Sequence, residues 1–483
     1  MEQNRFRCHI SIILNRVAGL FVFAGILIYN NLNDVIKVLK SGKLPEGKMV
    51  FILGALLVVT VLYAIFNFMR WYKTWIMFEN ESIVIERNTL NRKVNTIGMK
   101  NVSNVNLEQN LFQRLIHVYQ VKLDTNSAST ADTTDVDIVL SETMARAFQK
   151  TVLEHLGQEK TVSEEKTDHQ QEITYNGAQI VKHCLSTLKI SWLILGIATM
   201  VFAIIGLREQ IDEVSDLLDM LGAVVAITAF LATTIWNLVG DFFHLYDFHA
   251  YRSGNKLYLS YGLLKKREYM IPVEKINAVI IRQNLMARIL KRQYVELVCI
   301  GLGDEKKEGT QIMLASTKEE LEANMKLLLP EYANKIPISL EKQPISVIAS
   351  KIPGYLFGTV LLIACAVGVY IIKPEWLLPE ILVFVVIVFG CVIIEILRYR
   401  TVGLLCDESG LALADGVFTK RIVYLDYNKM QTIKMKQGPF RKKYQLHQGE
   451  LHILAATLYS TYITGSYPEV VFEQIHQGML RKS

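Results

Sequence analysis

The sequence is poor in the groups that build metal centres, disulfide frameworks and catalytic sites. Its six cysteines (Cys8, Cys184, Cys299, Cys365, Cys391 and Cys406) show no CxxC spacing, and three lie in or beside apolar runs. That pattern fits reduced, packing thiols rather than disulfides or zinc ligands. The ten histidines have no ligand spacing with cysteines or acids, so no metal site is expected. There is no GxxxxGK[ST], no HExxH and no GxSxG, so the usual phosphate cradle, zinc pair and nucleophile elbow are missing. The lone Gly-x-Gly of "GLGD" at 301–304 opens no helical pattern and is no dinucleotide loop. The expectation is a chain that is not an enzyme, takes no cofactor and binds no nucleic acid. The first apolar run is followed by no small-residue cleavage site, so it reads as retained rather than as a signal peptide.

Apolar residues are abundant instead, at 51% of 483 residues, with 20% charged and a net charge of +6. A mixture of membrane spans and soluble domains fits that composition. Apolar runs come in pairs: Ile12–Tyr29 with Met49–Phe68, Ile190–Leu207 with Leu217–Val239, and Gly354–Ile372 with Leu377–Leu397. Six spans in three pairs are therefore expected. Polar stretches follow each pair. Arg70, Lys73, Lys182, Lys351, Arg398 and Arg400 crowd their side, and "LREQIDEVSD" at 207–216 on the other is acidic. The positive-inside rule places the N-terminus and all three polar stretches in the cytoplasm, against the dissent of the lysine-rich connector at 31–48. "WYKTW" at 71–75 reads as an aromatic–basic collar at a span end. Transport would need ionisable groups along a path at mid-membrane. The apolar runs offer only Thr60, Asn67, Thr233 and Thr234, so a transporter or exporter component is the alternative rather than the leading reading.

The polar stretches repeat. Residues 92–114, 266–288 and 420–442 align without a gap. Each window starts on a basic pair (Arg92-Lys93, Lys266-Arg267 preceded by Lys265, Lys420-Arg421) and has an aliphatic residue five further on (Ile97, Ile271, Leu425). Each then holds a glutamine (Gln109, Gln283, Gln437) followed by a cation (Arg114, Arg288, Lys442). A turn former, Asn88, Gly262 or Gly416, stands four residues before each pair. The chain is three copies of one unit. Runs such as "SIVIER", "KLYLSYG" and "LALADG" read as strands, continued by "YVELVCI" and "GELHILAA". Each copy ends on an amphipathic helical stretch, at 141–156, 316–329 and 466–480, with capping boxes expected at Ser316/Glu319 and Ser466/Glu469. Several antiparallel strands closed by one C-terminal helix make a compact β-barrel or sandwich.

These windows, with "RCHISIIL" (7–14) and "VKHCLSTLKI" (181–190) placing His9 and His183 in register, resemble the bacterial pleckstrin-homology-like domains once catalogued only as a domain of unknown function. The triplication resembles membrane proteins of the YdbT type. The expected fold is mixed: six transmembrane helices in three pairs plus three cytoplasmic PH-like β-barrel domains, each closed by a C-terminal α-helix. The expected parts are a span pair at 1–69, PH-like domain 1 at 70–157, a linker at 158–180, a second pair at 181–240, domain 2 at 241–333, a third pair at 334–397 and domain 3 at 398–483. The resemblance implies membrane lipids and a smaller one-domain PH-like membrane relative as partners. It also implies a scaffold function tied to envelope protection against membrane-active antimicrobials. Arg92, Lys93, Lys265, Lys266, Arg267, Lys420 and Arg421 are the candidate contacts to acidic lipid or partner. Gln109, Arg114, Gln283, Arg288, Gln437 and Lys442 are expected to be structural.

Overall fold

A computed structural model describes residues 5–14, 48–89, 91–125, 138–155, 171–188, 214–299, 310–333, 339–372, 377–455 and 458–482, with scattered positions between 16 and 26 and single ones at 196 and 335. "GLGD" and most of the expected 158–180 linker lie outside the described residues. The chain divides into two compact units, Met1–Thr167 with Leu264–Tyr269, and Asp168–Leu263 with Met270–Ser483.

In the first unit, helix α1 (Lys48–Tyr72) leads into β1 (Thr74–Glu79), β2 (Ser82–Asn88) and β3 (Arg92–Gly98), an antiparallel sheet in chain order. A 3-10 turn at Met99–Asn101 passes to β4 (Val102–Asn110), the one-turn helix α2 (Leu111–Leu115), β5 (Val118–Thr125) and β6 (Ile138–Ser141), a second antiparallel set. Helix α3 (Glu142–His155) closes the copy. The strand period of two sends Ile83 and Ile85 of β2 into the core, while α3 adds Ala145, Phe148 and Val152 at helical spacing. The N-terminal segment joins this unit. Phe6 bridges to Ile76, the Trp71 indole donates to the Cys8 carbonyl at 2.7 Å, and the Arg7 guanidinium lies 3.8 Å from the Trp75 ring centroid and 4.4 Å from that of Tyr72. The aromatic collar at 71–75 thus grips the start of the chain.

The second unit takes β7 (Ile173–Thr174), α4 (Gly177–Ser186), α5 (Val214–Leu245), β8 (His249–Ser253) and β9 (Lys256–Tyr261). Strand β10 (Lys265–Pro272) begins in the first unit and ends in the second. After a 3-10 turn at Val273–Lys275 come β11 (Ile276–Gln283), α6 (Leu285–Ile289), β12 (Gln293–Cys299), β13 (Thr310–Ser316) and α7 (Lys318–Leu328). The third copy has β14 (Glu341–Lys342), α8 (Ser346–Ile372), α9 (Leu377–Thr401), β15 (Gly403–Cys406), β16 (Gly410–Asp415) and β17 (Lys420–Asp426). It continues through a 3-10 turn at Tyr427–Lys429, β18 (Met430–Lys436), α10 (Pro439–Lys443), β19 (Leu446–Ala455), β20 (Leu458–Pro468) and α11 (Glu469–Lys482). Strands β13-β12-β11-β17-β16-β15-β14 form one seven-stranded antiparallel sheet, and β18-β19-β20 form another. The buried seam takes Ala278 and Ile280 from β11, Val423 and Leu425 from β17, and Phe472 and Ile475 from α11.

The three sheet-rich copies match in backbone detail. The 3-10 turns at Met99, Val273 and Tyr427 begin at one offset in the repeat, as do α2, α6 and α10. The early strand of each second half breaks register after its first residue, between Val102 and Asn104, Ile276 and Ala278, and Met430 and Thr432. His117, Lys291 and Gln445 all hold positive φ, at 52°, 54° and 53°. Shared bulges and shared left-handed residues point to one folded unit used three times.

The expected six spans are corrected. Among the described residues, one helical stretch is long and apolar enough to cross a membrane, Ser346–Gly368 in α8, with 11% of its most apolar window buried. Within α1 the described side chains form a shorter apolar stretch at Val58–Tyr72. Ten of the eighteen residues of the run expected at Ile12–Tyr29, and all but Gly196 of the run at Ile190–Leu207, fall outside the described residues. Apolar composition, the basis of the expected pairs, also marks helices that carry charge near an end. Asp241 lies in the last turns of α5, and Glu395, Arg398 and Arg400 in those of α9. The capping box of α7 sits one residue later than expected, between Thr317 and Glu320, and Ser466 is inside β20.

Candidate functional site: a basic cavity in the second unit

Strands β11 and β17 lie side by side, with Arg282 directly opposite Arg421. Like charges facing across a ladder are unfavourable unless each is neutralised. Arg421 is held by Asp415, Nε to Oδ1 at 2.6 Å and Nη2 to Oδ2 at 2.8 Å, and Arg282 by Glu296 at 2.6 Å. Both carboxylates come from neighbouring strands, so the two guanidinium groups are fixed by the sheet.

Beside this pair opens a cavity of about 510 Å³, lined by Arg282, Lys351, Arg398, Arg421 and Arg441 together with the carboxylate of Asp415. Lys351, in the second turn of α8, is paired with Glu395 of α9, and the Tyr355 hydroxyl donates to the other Glu395 oxygen at 2.6 Å. Among the described residues, Arg398 and Arg441 take no ion pair. Burial, and then the charge of Arg398, pull the Arg441 guanidinium below its ordinary value. Arginine stays charged even so: the charge of Arg398 also acts on Glu395, and Arg441 is left without a carboxylate partner among the described residues. The lining also includes the polar side chains of Gln448, Thr464 and Ser466. Gly416, at φ +102°, turns the chain from β16 into β17 and receives the Thr401 hydroxyl on its carbonyl. What fits here is an anion with several oxygens.

Of the basic residues singled out from sequence, Arg421 lines the cavity. Lys420 stands opposite Gln283, with its ammonium pulled down by burial and then by Arg288. Lys265, Lys266 and Arg267 lie elsewhere, in the first unit, where β10 pairs with β4: Lys265 opposite Asn110, Lys266 opposite Gln109, Arg267 opposite Glu108. Glu108 takes Lys265 at 2.6 Å, Lys122 at 3.0 Å and Arg267 at 3.9 Å. Arg92 and Lys93 stand exposed on β3, with Arg92 bonded to Glu86. The three glutamines share one geometry. Each side-chain amide donates to the carbonyl nine residues on: Gln109 to Val118 at 3.0 Å, Gln283 to Arg292 at 3.2 Å, Gln437 to Leu446 at 3.4 Å. Arg288 donates to the Val417 carbonyl at 2.9 Å and so ties the second copy to the third, whereas Arg114 and Lys442 are exposed.

Sequence reading took Lys351 and Arg398 as topology markers and missed Arg282 and Arg441. One signal was present: the position sixteen after the start of each window holds Glu108, Arg282 or Lys436, each ion-paired across the strand to Lys122, Glu296 or Glu450. The polarity of that pair differs in the first copy, where the junction neutralises itself. Asn67, Thr233 and Thr234, the polar groups of a transport path, donate to carbonyls of their own helices at Tyr63, Ala229 and Phe230. Among the described residues, no group of three His, Cys, Asp or Glu side chains could hold a metal ion.

A family profile described as "Bacterial PH domain" matches three times, at residues 24–156, 190–327 and 355–479. The chain is also similar to the UPF0699 transmembrane protein YdbT of Bacillus subtilis (strain 168), 22% identical over 407 residues that cover 79% of this chain and 80% of the relative. No solved structure matches.

Proposed function

Because the chain belongs to the bacterial PH domain family, we propose that it is a non-enzymatic, membrane-associated scaffold whose basic cavity holds the phosphate of an acidic lipid. The observation that carries this is Arg441, which has no carboxylate partner among the described residues, beside Arg398 in a cavity that gathers five cations. Membrane association draws on the relative, which is named a transmembrane protein, and on the exposed apolar stretch Ser346–Gly368. Lys351 lies within that stretch and also lines the cavity, so a bound headgroup would meet cations at the foot of an apolar helix. The one-domain relative and the envelope role belong to this reading as consequences of scaffolding and rest on the resemblance alone.

The test uses the full chain in phosphatidylcholine nanodiscs, titrated with short-chain phosphatidylglycerol and separately with inorganic phosphate. Each cation near an anionic surface contributes on the order of 1 kcal/mol. Arg398→Gln with Arg441→Gln should therefore weaken phosphatidylglycerol binding roughly thirty-fold, with helix content unchanged. Wild type that binds neither probe, or a double variant that binds as tightly as wild type, would sink the reading. Tighter binding of free phosphate would move the ligand from a lipid to a soluble anion.

A further inference from the structure

Among the described residues, no strand pairs with the outer side of β3 or of β18. Their counterparts in the other copies are paired with each other. The first residues of β10 lie against β4, and β17 lies against β11. By position in the repeat, β3 is to the first copy what β10 and β17 are to the second and third. Likewise β18 is to the third what β4 and β11 are to the first and second. Both junctions use one register, with Lys266 opposite Gln109 and Lys420 opposite Gln283. Carried to the unpaired edges, that register sets Arg92 opposite Gln437, Lys93 opposite Lys436 and Val94 opposite Met435.

The edges look like halves of such a junction. Covered by β17, β11 is buried over its first six residues. At the same repeat positions β18 exposes Gln431, Thr432, Lys434, Met435 and Lys436, and β3 is exposed over its first five residues. Val94 is 49% exposed and Met435 51%, two large apolar side chains on open strand edges that would face each other. Lys93 opposite Lys436 repeats Arg421 opposite Arg282, and Glu450 balances Lys436 as Glu296 balances Arg282.

We propose that β18 of one chain pairs antiparallel with β3 of a second copy of this chain, joining molecules head to tail by the strand pairing that joins copies within one chain. The two edges are complementary to each other rather than each to itself. The interface is therefore heterologous and gives a ring where the rotation closes and an open string where it does not. It does not depend on what fills the basic cavity.

The full chain is prepared in mild detergent in two tagged forms, one with Val94→Cys and one with Met435→Cys. The forms are mixed and oxidised, and the yield is read over that of the native cysteines alone. The expected product is a disulfide linking the two tags, with at least about tenfold less when Lys434→Cys, on the other face of the strand, replaces Met435→Cys. Native mass spectrometry of wild type should show species above the monomer, lost in Val94→Glu with Met435→Glu while circular dichroism is unchanged. A monomeric wild type with background cross-linking overturns the proposal. So does equal linking from positions 434 and 435. A different polypeptide captured by Val94→Cys would overturn the choice of a second copy as occupant.

Discussion

Glu108 stands in β4, almost wholly buried, with Lys265, Lys122 and Arg267 around it. Burial alone would push its carboxyl up. The charges and hydrogen bonds of Lys122 and Lys265 more than offset this and hold it below the usual carboxylate range. A depressed carboxyl pKa makes ionised Glu108 stabilising in the folded state. Its contribution is in place above the unfolded value, near 4.5, and is lost as pH falls through the folded value. Glu108→Gln leaves the cations around it without their shared buried counter-charge, which should cost about 3–5 kcal/mol at neutral pH. Thermal unfolding of the two forms across pH checks it. The gap should be widest at neutral pH and close on acidification through the carboxylate range, and a gap independent of pH would show that the charge is not the cause.

The hairpin from β16 to β17 depends on Gly416. Its φ of +102° is one that side chains rarely adopt, and an added Cβ would lie 1.8 Å from the Thr419 carbonyl oxygen. Gly416→Ala should cost roughly 1–3 kcal/mol or more, read as a drop in Tm. Gly177→Ala in α4, where a Cβ meets nothing within 4 Å, should leave Tm nearly unchanged. Much at this scale was legible in the sequence. The turn formers Gly262 and Gly416 do take positive φ, and the strand runs and closing helices appear where the pattern placed them. Other features were not legible. Nothing in His117, Lys291 or Gln445 announces a left-handed residue, because no shared side-chain chemistry marks that position. The cavity needs Lys351 and Arg398, which come from helices far along the chain from Arg282, and no local pattern reports such convergence. Counting apolar runs overshot the spans: among the described residues one helical stretch is long and apolar enough to cross.

At the scale of the whole molecule, folding units and sequence repeats end at different residues. The first compact unit includes Leu264–Tyr269, which by sequence belongs to the second copy. Those residues cover the edge of β4 over Leu107–Asn110 and bring Lys265 and Arg267 to Glu108. A chain cut at Thr167 keeps every strand of the first repeat yet loses that cover. It leaves β4 as an open edge and Glu108 with Lys122 alone among its three cations. Open edges invite association, and a buried carboxylate short of counter-charge destabilises. The fragment 1–167 should therefore unfold at lower temperature and aggregate more readily than the same fragment joined through a glycine–serine linker to residues 262–272. Calorimetry and sedimentation of the two in matched detergent decide it. If the added strand raises neither Tm nor solubility, β10 is not part of the first unit's stability, and each copy folds on its own. If it raises both, the strand shared between copies holds the first unit together. Among the described residues, the open edges β3 and β18 would then be places where that sharing is unfinished.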